Sequence, residues 1–79
     1  MPYITQSERL RAAKTPLGVG ELNYALTHLI TNYTMINGLS YNTINAVVGA
    51  LECAKTEYYR RIAIPYENEK CRLNGDVYK

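Results

Sequence analysis

SYNTINAVVGALECAKTEYYRRIAIP, residues 40–65, is the stretch on which the fold turns. Ile44, Val47, Val48, Leu51, Ala54, Tyr58 and Ile62 recur in it at three- and four-residue steps, which is one face of an amphipathic helix. Ser40 stands where an N-cap belongs, because its hydroxyl can accept from a backbone N–H that the first helical turn leaves free. Pro65 must kink or end the helix, since it has no N–H to donate and its ring crowds the preceding turn. Residues 66–73 are polar enough to form an exposed last helical stretch. Asn74-Gly75 closes it, and residues 74–79 form a tail.

Upstream, Leu22, Ala25, Leu26, Leu29, Tyr33 and Ile36 repeat the helical spacing, so a second helix is expected over residues 20–37. Glu21 in its first turn suits the positive end of the helix dipole. Asn37-Gly38 supplies the stop, with glycine able to adopt a left-handed conformation. A connection this short predicts that the two helices lie antiparallel, as a hairpin. Further towards the N-terminus, Thr5-Gln6-Ser7-Glu8 has the form of a capping box. A short helix follows through Ala13 and stops before Pro16. Leu10 is its one strong apolar anchor, so this segment within the 1–19 arm is expected to be loosely held. The expectation is a single all-α domain over residues 1–79.

Seventy-nine residues bury only about 60% of the surface that the unfolded chain exposes, which leaves little margin of stability. Disulfides, a metal or a partner usually supply the remainder. Cys53 and Cys71 form no C-x-x-C and accompany a single histidine, so neither a disulfide framework nor a zinc site is indicated. The cysteines read as inert filler rather than redox groups. Homo-oligomerisation remains as the expected support. No apolar run spans a membrane and no signal peptide is evident, so the expected location is the cytoplasm. A net charge of +2 and a pI near 8.6 are too mild for a typical nucleic-acid binder.

Catalysis is poorly provided for. His28 is the one side chain whose ordinary pKa lies near neutrality, and no phosphate loop, nucleophile elbow or H-E-x-x-H occurs. Glu21, His28, Glu52 and Glu57 are the best available metal ligands, but they lack the E-x-x-H pairs of bundle sites, and neither metal nor cofactor is expected. All eight aromatic residues are tyrosines. A tyrosine suits surfaces that are half dry and half wet, as interfaces and pockets are, although it also serves as ordinary core filler.

Lys55, Arg60 and Arg61 alternate with Tyr58, Tyr59 and Tyr66, offering phosphate donors beside rings that can stack on bases. Ideal helical geometry places Tyr58 central to the apolar face, Arg61 at one edge and Arg60 nearly opposite. The plainer reading pairs Arg61 with Glu57 at i,i+4, for about 0.3–0.5 kcal/mol. Tyr24, with His28 one turn on, falls on the outward face of residues 20–37 and is a candidate partner contact. Ligand binding is thus expected at Lys55, Tyr59, Arg60, Arg61, Tyr66 and Tyr24. A protein interface would instead use Tyr24, His28 and Tyr58.

The runs Met1-Pro2-Tyr3-Ile4, Gly20-Glu21-Leu22-Asn23-Tyr24, Gly38-Leu39-Ser40-Tyr41, Gly49-Ala50-Leu51-Glu52-Cys53-Ala54-Lys55, Tyr59-Arg60-Arg61, Pro65-Tyr66-Glu67 and Asn74-Gly75-Asp76-Val77-Tyr78 resemble a family of short proteins from phages and bacteria. That resemblance spans nearly the whole chain and implies a phage or prophage origin, with the host cytoplasm as the site of action; it brings no activity with it. Ala50 to Lys55, with Tyr58, Arg61 and Ala63, also resembles the final helix of small helical phage proteins that sequester the cyclic oligonucleotide signals of bacterial defence. The chain differs from them in having no Trp, and none of their binding residues is matched to a position here. The second resemblance implies a non-enzymatic binder of a phosphorylated small molecule such as a cyclic nucleotide. The alternative reading is a protein-interaction module that inhibits a host protein or serves as a structural accessory.

Overall fold

The computed structural model describes residues 3–12 and 15–78. It is all-α, with α1 over Gln6–Ala12, α2 over Val19–Asn37, α3 over Tyr41–Tyr58 and α4 over Ile64–Asn74. A π-helical turn, Tyr59–Ala63, joins α3 to α4 without a break. By internal contacts the chain divides into two compact units, Met1–Ile44 and Asn45–Lys79.

In the first unit the capping box closes as its residue types require. The Thr5 N–H donates to Glu8 Oε1 at 2.8 Å, and the Glu8 N–H donates to Thr5 Oγ1 at 3.2 Å. The carboxyl pKa of Glu8 is held below its usual range by the backbone N–H of Thr5 and then by its hydroxyl. Ala13 and Lys14, to which the sequence extends this helix, lie outside the described residues. Helix α1 packs on α2, but the expected anchor does not hold it, because Leu10 is 73% exposed.

The attachment is polar. Arg11 Nε donates to Glu21 Oε1 at 2.9 Å and to Oε2 at 3.1 Å, and its Nη2 also reaches Oε2. Glu21 additionally accepts from the Leu17 N–H at 3.2 Å. Gly18 at the N-cap of α2 has no side chain with which to satisfy that helix start, and Glu21 supplies a carboxylate there.

Helix α2 ends at Gly38, whose N–H donates to the Thr34 carbonyl at 2.8 Å. Its φ of 88° and ψ of 147° differ from the left-handed helical cap that the sequence suggests; the chain leaves in an extended, glycine-only conformation. Ser40 caps α3, with its Oγ accepting from the Thr43 N–H at 3.1 Å. Helix α4 ends likewise at Gly75, φ 90°, with its N–H on the Cys71 carbonyl.

Pro65 does not end the helix, and the turn that departs from regular α geometry is the one before it. It lies at the start of α4, directly after the π turn, in which the Ile64 N–H donates to the Tyr59 carbonyl, one residue further back than an α-helix allows. Proline offers no N–H to the carbonyls one turn earlier and its ring crowds them. A wider turn at that place relieves the crowding.

Among the described residues Glu21 and Thr43 are the two that are buried, and both are polar. No large side chain among them is fully buried. The apolar stripes exist as helix faces, yet they stay open: Leu26 is 43% exposed, Leu29 68%, Leu51 40% and Ile62 54%.

Candidate functional site

On the α3 to α4 helix, Lys55, Tyr59 and Arg60 line one shallow, open surface together with Glu52, Thr56 and Ile64. This brings together three of the six residues expected to bind a ligand. Glu52, Thr56, Arg60 and Ile64 follow one another at i,i+4 spacing, with Lys55 and Tyr59 on the adjacent row, and the π turn falls within the last steps of both. Arg60, nearly opposite the apolar-face centre Tyr58 by ideal geometry, shares this surface with Lys55. Arg61 does not line this surface.

Each of the three cations has a carboxylate neighbour. Lys55 Nζ is 3.1 Å from Glu52 Oε1. Arg60, rather than Arg61, is the principal partner of Glu57, with Nε donating to Oε1 at 3.0 Å and Nη2 to Oε2 at 2.9 Å. Arg61 Nε stands 3.5 Å from the same carboxylate. The i,i+3 pair thus exceeds the i,i+4 pair in hydrogen bonds because a guanidinium fork can take both oxygens at once. A phosphate arriving here would compete with Glu52 and Glu57 for its donors.

Tyr66 is engaged separately, with Lys70 Nζ 5.5 Å from its ring centre. Tyr58 is 64% exposed. Tyr24 belongs to the other unit, where it is half-buried and not on an open face. Arg9 from α1 lies over its ring at 5.6 Å, and the His28 ring stacks on it at 6.1 Å with an interplanar angle of 20°. Arg9, Leu10, Tyr24, His28, Leu29 and Asn32 take part in lining a depression beside α1.

The Arg11 and Glu21 pair escaped sequence reasoning because its members are ten residues apart, on different helices. The one available signal was a carboxylate at the start of a helix whose N-cap is glycine. Glu21 is held below the usual carboxylate range, chiefly by the hydrogen bonds from Arg11, against an opposing effect of desolvation, with the Leu17 N–H adding a smaller lowering. Engaged in this way, it is not a free ligand for a metal. Among the described residues no group of three His, Cys, Asp or Glu side chains is placed to hold a metal ion. Cys53 and Cys71 are both free and exposed, so they fill no core. No helix of the described residues is long and apolar enough to cross a membrane.

Comparison with known proteins finds no match among curated proteins or solved structures. A family model, a domain of unknown function (DUF6899), matches residues 1–77, so the chain belongs to that family.

Proposed function

We propose that this chain is a helical protein-interaction module whose working form is an assembly. The supporting observation is the exposure of its apolar helix faces: no large side chain among the described residues is fully buried, while both α2 and α3 carry apolar residues at helical spacing. Helices draw most of their stability from burying such a face, and contiguous exposed apolar surface marks an interaction site. The antiparallel pairing of α2 with the long helix, expected from their short connection, belongs to the same reading. So does homo-oligomerisation. The eight tyrosines suit the task, since each combines a large ring with a hydroxyl that tolerates a wet rim.

The test is circular dichroism and sedimentation velocity over a dilution series. Helicity should fall as the assembly dissociates, or should rise only when a partner is supplied. A monomer that stays fully helical on dilution and melts cooperatively would refute the reading.

A second reading, uptake of a phosphorylated small molecule such as a cyclic nucleotide, is favoured by one observation, the grouping of Lys55, Tyr59 and Arg60 on one surface. Isothermal calorimetry with cyclic di- and trinucleotides tests it. Binding should weaken on Arg60→Ala, and absence of heat with every nucleotide would remove this reading.

A further inference from the structure

Ile44, Leu51, Tyr58, Tyr66 and Leu73 follow one another along the long helix at steps of 7, 7, 8 and 7 residues. The single step of eight is the one that crosses the π turn at Tyr59–Ala63. In a regular helix of 3.6 residues per turn, a step of seven returns to within about 20° of the same face, whereas a step of eight overshoots by about 80°. A π turn takes up one additional residue, so this step behaves as a seven. The turn before Pro65 thereby keeps one apolar seam in phase along the helix. Tyr41, Val48, Lys55 and Ile62 occupy the alternate positions between these residues, which completes the pattern of a heptad seam.

We infer that this seam, from Tyr41 to Tyr66, pairs with the same stretch of a second copy of the chain, running antiparallel and centred near Cys53. The inference rests on the interaction-module reading above and names its partner. Lys55 decides the direction. A parallel pair would set Lys55 against its own equivalent at an interior position, two like charges face to face. The antiparallel pair sets the Lys55 stem on Leu51 of the other copy, Val48 on Tyr58, Ile44 on Ile62 and Tyr41 on Tyr66. It also brings each ammonium beside the other copy's Glu52, the residue that Lys55 already contacts at 3.1 Å within its own chain. The seam is thus complementary to itself in charge in one direction only.

The available area suffices. Tyr41, Tyr58 and Tyr66 are 86%, 64% and 62% exposed, and side chains of that size at that exposure can each withdraw about 100–200 Å² from water. Ile44, Val48, Leu51 and Ile62, at 40–59% exposed, add to this. With the flanking stems, the total is of the order of the 800 Å² per partner that a standard interface takes.

Disulfide trapping of the full chain in a Cys53→Ser, Cys71→Ser background tests the arrangement. The double variant Val48→Cys, Tyr58→Cys should oxidise to a covalent dimer, while each single variant should not. Positions 48 and 58 of one helix are about 15 Å apart, too far to bridge within a chain. Cross-linking by either single variant would show a parallel pair and overturn the inference. Sedimentation of the unmodified chain as a monomer at high concentration would overturn it too. In that event Leu51→Glu separates the two proposals: if it abolishes capture of another protein, only the identity of the partner fails, and if it changes neither capture nor helicity, the interaction-module reading fails as well.

Discussion

Glu21 shows how much one residue carries in a chain with so small an interior. Its carboxylate receives the Arg11 guanidinium and the Leu17 N–H and so ties α1 to the start of α2. Because its folded pKa is depressed, the stability it contributes is present above the ordinary carboxylate range and is lost as pH falls through the lowered folded value. Acidification should therefore release α1 before the α3 to α4 helix responds, seen as loss of amide exchange protection in residues 6–12. Glu21→Gln should produce the same loss at neutral pH. If protection of α1 is unaffected by either change, the ion pair is not its attachment. Ser40 offers a simpler case: Ser40→Ala should cost about 1 kcal/mol by chemical denaturation, through loss of the cap on the Thr43 N–H.

At the scale of elements, helix ends were the most legible feature, because capping and glycine chemistry act within a few residues. Thr5 and Glu8, Ser40, Gly38 and Gly75 all stand at the ends the sequence indicates. At Gly38 a Cβ would meet open space, so the objection to a larger residue is its φ of 88° alone. Gly38→Ala should cost about 1–3 kcal/mol, read from the denaturation midpoint. The π turn was less legible, since proline indicates a disturbance but not its form. Replacing it separates local from collective effects. Pro65→Ala restores a donor to the backbone and should raise the helicity of residues 59–65 by carbon chemical shifts. If the π turn keeps the seam in phase, the same substitution should weaken the assembly, and assembly strengthened along with helicity would contradict that.

For the whole molecule, the deciding quantity is how much apolar surface remains exposed. Leu51 is 40% exposed in the chain by itself. If an assembly covers it, Leu51→Ala should cost about 2–5 kcal/mol at concentrations where the assembly forms, the range for truncating a buried leucine. If it stays exposed in the working form, the cost should lie within about 0.5 kcal/mol, as for an ordinary surface change. Denaturation at two protein concentrations distinguishes these outcomes.

The candidate site was partly legible. Residue type singles out Lys55, Tyr59 and Arg60, and they share a surface. Arg61 and Tyr66, of the same residue types, do not line it, because residue type does not record which side chains share a patch. Periodicity puts Tyr24 on the outward side of α2, but it records only the helix itself, and Arg9 of α1 lies over the ring. By itself the sequence determined where helices start and stop and which face of each is apolar, for these follow from interactions within four residues along the chain. Tertiary structure alone decided that Arg11 reaches Glu21, that Arg9 lies over Tyr24, and that the apolar faces remain exposed. Each of these depends on which distant groups meet in space, and local spacing carries no record of that.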